Sequence, residues 1–318
     1  MGTQKPGTAT VPRAAPLVER DAEIASLEAA LDAARDGRGA LVVIEGPAGI
    51  GKTRLLSTAR QSARERGMLA LRARGGELER DFAYGVVRQL LEPALRDAGP
   101  DGTAELLSGA AALAGPLLST DAPSEGAPVA RDHAYAVLHG LYWLCANLSA
   151  RTPMLLAIDD AHWADGPSLR FAAYLARRVD ELPCVLLVAS RPVDTPDGPL
   201  ARLLVEAPGA ELIQPAPLSD EGARQLIEDR LDSAPAAAFV ASCRAATGGV
   251  PFLLEELLRD LPPATVPDAE AAATVRDAGP RTVARSILLR LGQLPPEAAE
   301  LARALAVLGG RAELRQAA

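Results

Sequence analysis

The feature that narrows the fold most is the stretch LVVIEGPAGIGKTRLL at residues 41–56, an apolar run breaking into a glycine-punctuated loop that ends in Lys52 and Thr53. Gly46 to Thr53 satisfy the spacing G-x-x-x-x-G-K-[ST], placed after a predicted strand and at the start of a predicted helix. Successive backbone N–H groups of such a loop converge on an anion, and the positive end of the following helix adds its field. Glycine lets the backbone come that close. Lys52 would bridge β- and γ-phosphate oxygens, and the Thr53 hydroxyl would take one octahedral position on Mg²⁺. Gly46, Pro47, Ala48, Gly49, Ile50, Gly51, Lys52, Thr53 and the adjoining Arg54 are therefore the candidate nucleotide contacts.

The surroundings of the loop read as alternating strands and helices. Ahead of it, Ile24, Leu27 and Leu31 fall at helical spacing between Leu17 and Asp36, and Gly37 and Gly39 stop the helix. After it come a helix from Lys52 to Arg66, a strand from Met68 (MLALRAR) and a helix around Tyr84 to Leu95. Residues 98–130, rich in Gly, Ala, Pro and Ser, read as a flexible insertion. A helix near Asp132 to Leu148 follows. PMLLAIDD (153–160) and PCVLLVASR (183–191) are short, continuously apolar runs, the pattern of strands buried in mid-sheet, with a helix from Pro167 to Val179 between them. AELIQPAPL supplies a last, weak strand ending at Leu218. Such grammar predicts an α/β fold, a three-layer αβα P-loop NTPase with a mainly parallel five-stranded sheet.

From Ser219, a predicted N-cap with acids in the turn behind it, the chain turns all-helical. The expected organisation is a disordered tail at 1–15, an α/β domain at 16–217, a helical subdomain at 218–280 with a Pro- and Ala-rich connector from 262, and two more helices at about 281–292 and 296–308.

A phosphate loop needs a carboxylate to hold its metal from across the sheet. Asp159, at the end of an apolar strand, would bind Mg²⁺ through water, and Asp160 would stand beside the attacking water as general base. An acid pair at a strand end can also cap the next helix. Arg191 ends the following strand and could reach the γ-phosphate, although from spacing alone a surface ion pair explains it nearly as well. Lys52, Asp160 and Arg191 are thus the candidate catalytic residues, and Thr53 and Asp159 the candidate metal ligands. His162 and Trp163 read as packing residues.

Composition excludes some alternatives. A net charge of -8 argues against direct nucleic-acid binding by this segment. Cys145, Cys184 and Cys243 lack metal-ligand spacing and read as buried, reduced thiols. No apolar run is long enough to span a bilayer and no secretory signal opens the chain, so a cytoplasmic protein with no membrane contact is expected.

The segments LVERDAEIASLEAAL, GPAGIGKT, FAYGVVRQLL, LLAIDDAHWAD, VLLVASRP and GGVPFLLEELL, in this order, resemble the ATPase module of the large ATP-binding LuxR-type transcriptional regulators, which belong to the STAND class of AAA-like proteins. The resemblance runs from about Leu17 to Leu308 and implies ATP and Mg²⁺ as ligands. It implies that Val18 to Asp21 lie against the adenine, making Val18 and Arg20 nucleotide contacts. Pro251, the proline of a G-x-P motif after Gly249, would close over the base from the helical subdomain, and Arg191 matches the family's sensor arginine. The strand ending at Arg191 is expected between the phosphate-loop strand and the strand ending at Asp159. Family members often carry glycine where Glu19 stands. They also continue through helical repeats to a C-terminal helix-turn-helix, so residues 281–318 are expected to begin a winged-helix-like subdomain, and self-association or contact with C-terminal domains is expected of the module. The function implied is an ATP-binding, slowly hydrolysing regulatory switch. A free-standing ATPase would instead show high constitutive turnover, and a nucleotide-binding scaffold none.

Overall fold

The structure, a computed structural model, describes residues 17–118, 131–192, 209–262, 265–275, 298, 300 and 301. The predicted tail at 1–15 and nearly all of the helices expected after residue 280 lie outside the described residues.

Apolar strands and amphipathic helices alternate as the sequence predicts: α1 Asp21–Arg35, β1 Ala40–Glu45, α2 Lys52–Glu65, β2 Leu69–Arg74, α3 Gly85–Leu106, α4 Gly115–Leu118, α5 Arg131–Arg151, β3 Met154–Asp159, α6 Gly166–Ala176, β4 Cys184–Ser190 and β5 Glu211–Ile213. The five strands form one sheet in the order β2-β3-β4-β1-β5. Every neighbouring pair is parallel, and β4 lies between β1 and β3, as the resemblance implied.

Side chains alternate across this sheet, so each central strand feeds two cores. Met154, Leu156 and Ile158 of β3 join Cys184, Leu186 and Val188 of β4 under α3, α5 and α6. Leu155 and Ala157, with Val185, Leu187 and Ala189, face α1 and α2 together with Val42 and Ile44 of β1. Buried leucines of this kind each contribute roughly 1.5–3 kcal/mol. The result is three layers, helix on sheet on helix. Cys145, Cys184 and Cys243 are free and buried; burial pushes the Cys145 and Cys243 thiols up to about 12.

Residues 98–118, expected within a flexible insertion, are largely helical instead. α3 breaks at Gly99 (φ 69°), restarts through Pro100 and runs to Leu106, and a 3₁₀ segment Gly109–Ala114 then leads into α4. Gly140 of α5 explains why small residues serve here: a Cβ on it would lie 2.5 Å from the Ala114 backbone nitrogen. Buried Leu106, Ala111, Ala114 and Leu118 pack into the α3–α5–α6 core, so tertiary contact overrides the loop-like composition. Residues 119–130 lie outside the described residues.

Among the described residues beyond β5, α7 Asp220–Leu231, α8 Ala237–Thr247 and α9 Pro251–Asp260 build a third core, which buried Ala272 and Val275 join. Phe239, Ile227 and Leu254 are fully buried within it. Ser219 caps α7 as predicted, its side chain accepting from the N–H groups of Glu221 and Gly222. No described helix is long and apolar enough to cross a membrane by itself.

Candidate functional site

The phosphate loop joins β1 to α2 and lies at the carboxyl ends of the parallel strands, where open α/β sheets place their ligand crevices. Gly49 and Gly51 adopt φ of 84° and 109°, a left-handed geometry that favours glycine. Ile50 is fully buried, so its side chain anchors the loop. The Lys52 ammonium donates to the carbonyls of Gly46 (2.8 Å) and Pro47 (3.0 Å), which holds its charge over the loop.

The two candidate metal ligands meet. Thr53 Oγ1 donates to Asp159 Oδ2 at 2.8 Å, and Asp159 Oδ1 accepts the N–H of Asp160. This pair fits Mg²⁺. Both groups present hard oxygens, and the hydroxyl proton is committed to the carboxylate, leaving the threonine lone pairs available to a cation. Among the described residues no cluster of three or more His, Cys, Asp or Glu side chains could hold a metal by itself. A magnesium ion here would thus rely on nucleotide phosphates and water for its remaining ligands.

Asp160 sits just past the strand with φ 47° and turns its carboxylate toward β2, accepting from Nε and a terminal nitrogen of Arg74 at 2.9 and 2.7 Å. That hydrogen bond, with the carboxylate's charge, raises the Arg74 guanidinium above its ordinary value. Gly75 makes the approach possible, because a Cβ there would collide with the Asp160 carbonyl and lie 2.8 Å from the Ala164 nitrogen. Sequence reasoning missed Arg74: it lies 86 residues from its partner, and only the β2–β3 register, which aligns Arg74 with Asp159, brings them together.

Lys52, Thr53, Asp160, Arg191 and Pro251 line one cleft of about 360 Å³, with Ala48, Gly49 and Arg54 at its rim. A second cavity of about 380 Å³ continues from it past Gly51. Its walls include Leu17, Val18, Ile50, Leu218 and Pro251, an apolar slot beside which Arg54, Asp229, Arg230, Glu255 and Arg259 also stand. Val18 and Pro251 border the same slot. Arg20 also borders the slot, yet its guanidinium is buried and spent on backbone carbonyls, those of Glu19 and Ala216 at 2.6 Å and Ile50 at 3.5 Å. It clamps the rim of the slot.

Glu19 carries φ 54°, in the left-handed region that favours glycine. Its carboxylate accepts the N–H of Ser219 at 2.9 Å and the Ser219 hydroxyl, joining the start of α1 to the cap of α7. Burial would raise this carboxyl, but the bonds from Ser219 and Gly222 and the charge of Arg20 outweigh it and hold it below 4.5. The G-x-P segment approaches from the other side. Gly248 and Gly249 are both left-handed, Pro251 occupies the first turn of α9, and the Phe252 N–H donates to the Gly49 carbonyl at 3.2 Å. Arg54 and Glu255 form an exposed ion pair at 3.7 Å, of the kind that adds at most about 1 kcal/mol.

His162 packs against Trp163, with ring centroids 5.2 Å apart, and neither ring nitrogen has a hydrogen-bond partner. Burial, then the charge of Arg191, lowers its pKa, against the opposing charges of Asp160 and Asp159.

Residues 16–188, more than half of the chain, match the family model of the AAA ATPase domain. The chain belongs to this family. The chain is similar to an uncharacterized protein of Rhizobium meliloti (strain 1021), 27% identical in an alignment covering 94% of this chain and 30% of that one. The chain thus spans under a third of that relative's length. Among solved structures, this AAA ATPase resembles Cdc6p of Pyrobaculum aerophilum (TM-score 0.52, 15% identity, 98% of this chain and 80% of that one). It also resembles the Orc1 protein of Aeropyrum pernix, determined in complex with DNA (TM-score 0.51, 17% identity, 95% and 76%). At these identities the likeness is one of fold, the parallel αβα arrangement of P-loop ATPases.

Proposed function

We propose that this AAA ATPase domain is the ATP-binding, slowly hydrolysing switch module of a LuxR-type transcriptional regulator of the STAND class, working with Mg²⁺ in the cytoplasm. The observation that carries the switch is the seat of α9 on the phosphate loop. Phe252 bonds Gly49, and Pro251 borders both the phosphate cleft and the apolar slot. A change in the phosphates at Lys52 would therefore be felt at once by α7–α9, which we take as the helical subdomain of 218–280. This order-dependent logic is that of nucleotide switches generally.

In this reading Lys52 and the loop N–H groups bind the phosphates, Thr53 and Asp159 hold the metal, Asp160 orients the attacking water, and Arg191 senses the γ-phosphate. Mg²⁺ held there would supply neutralisation of the phosphate charge. The Arg74 ion pair on Asp160 supports slow turnover, because it draws the carboxylate away from a water. The partners proposed are ATP and ADP, with self-association or contact with C-terminal domains as the output, and no direct nucleic-acid contact by this segment.

The test compares wild type with Lys52→Ala. Wild type should bind ATP, turn it over slowly, and show a change in amide exchange of α9 between ATP and ADP. Lys52→Ala should lose ATP binding. Unchanged affinity in that variant, or α9 exchange that ignores the nucleotide, would sink the reading.

A further inference from the structure

Beside the phosphate cleft lies a cavity of about 420 Å³ between α2 and β2, into which three arginines face: Arg60, Arg72 and Arg74. The geometry follows from simple periodicities. Thr53, Ser57 and Arg60 share one face of α2, and Arg72 and Arg74 stand two apart on an edge strand, on the face opposite buried Leu71 and Ala73. Arg74 is engaged by Asp160. Among the described residues Arg60 and Arg72 make neither a hydrogen bond nor an ion pair, and Arg60 Nε is buried without an acceptor. Burial, then the charges of Arg64 and Arg72, depress the Arg60 guanidinium. The one carboxylate on the cavity wall, Asp159, is committed to Thr53 and the Asp160 N–H.

In a chain with a net charge of -8, acids abound, so two unmatched arginines sharing a cavity leave a specific complement missing: an anion with several acceptor oxygens. Two guanidinium forks and the Ser57 hydroxyl offer more donors than one carboxylate can accept, which selects a tetrahedral oxyanion. The cavity shares Thr53 and Arg74 with the phosphate cleft, but Ser57, Arg60 and Arg72 line it alone, and Lys52 and Arg191 line only the cleft.

We propose that Arg60 and Arg72 form a second oxyanion site, separate from the phosphate loop, that takes a phosphate dianion, either inorganic phosphate or the head of a small phosphomonoester. The site stands whatever nucleotide the loop takes, and its test is arranged to keep the two apart.

Inorganic phosphate and, separately, phenyl phosphate are titrated calorimetrically at constant ionic strength into the 318-residue chain carrying Lys52→Ala, in which the loop is disabled. Saturable binding is expected, weakened at least about tenfold by Arg60→Gln or Arg72→Gln. Tighter binding of the inorganic ion assigns the site to free phosphate, and tighter binding of the ester to a phosphomonoester; both support the site. Absence of saturable binding, or binding that the arginine variants leave unchanged, overturns it. Thermal melting guards against a merely structural role. Without phosphate, Arg72→Gln should melt no lower than its parent, because a like-charge repulsion is relieved, and should lose the phosphate-dependent rise. A lower melting temperature without phosphate refutes the assignment.

Discussion

Thr53 and Asp159 are joined by a 2.8 Å hydrogen bond that spans from the first turn of α2 to the end of β3, two strands away from the loop's own β1. Removing the hydroxyl leaves the carboxylate but takes one oxygen from the proposed metal site. Thr53→Ser should keep Mg²⁺-dependent ATP affinity within about twofold, while Thr53→Ala should lose about ten- to a hundredfold, the range for a bond to a charged group. Fluorescent-nucleotide titration with and without Mg²⁺ checks this, since the deficit should vanish when the metal is chelated.

Arg74 restrains Asp160 through a largely exposed ion pair, the guanidinium side chain being 71% accessible. Its removal should leave ATP affinity nearly unchanged and raise steady-state hydrolysis up to about fivefold, in keeping with the 0.2–1 kcal/mol of such pairs. Asp160→Asn should abolish the gain in the double variant. Phosphate release measured on the two single variants and the double separates the roles.

Glu19 links stability to pH. Its carboxyl is held below 4.5 in the folded protein, so the fold binds this proton less tightly than the unfolded chain does. The resulting stabilisation is complete above the unfolded value and disappears as pH falls through the lower, folded one. Glu19→Gln should therefore lose less stability than wild type on going from neutral pH to below about 4. The left-handed backbone adds a second signature: Glu19→Gly should be about 1 kcal/mol more stable than Glu19→Ala, which keeps the strain without the carboxylate. Urea unfolding across pH reads both.

Asp165 is a buried carboxylate that caps two helices at once. It accepts from the N–H of Ser168 in α6 and from those of Tyr84 and Val86 at the start of α3. Asp165→Ala orphans all three donors and should cost about 2–4 kcal/mol of unfolding free energy in chemical denaturation. Asp165→Asn, which keeps one acceptor oxygen, should fall between.

The loop and its strand were legible because their signal is local: an apolar run, spaced glycines, a lysine. Asp159 and Pro251 were legible through short motifs in a fixed order. Arg74 was not, since its meaning depends on the register of β2 against β3, and neither Glu19's bond to Ser219 nor Arg20's to Ala216 leaves a trace at separations of 200 and 196 residues. Residues 98–118 misled for a different reason. Gly, Pro and Ser mark a loop by propensity, but small residues such as Ala114 also permit the close packing against Gly140 that the fold uses.

The clamp made by Arg20 has a consequence for the order in which the molecule can be made. Its buried guanidinium draws acceptors from Ile50 and from Ala216, so the rim of the apolar slot has no complete set of partners until the ribosome has passed β5. A nascent chain released through β4 would own a phosphate loop and four of its five strands, but would carry a cation seeking water where the folded protein buries it. Nucleotide capture should thus begin late in synthesis, after the sheet and not with it.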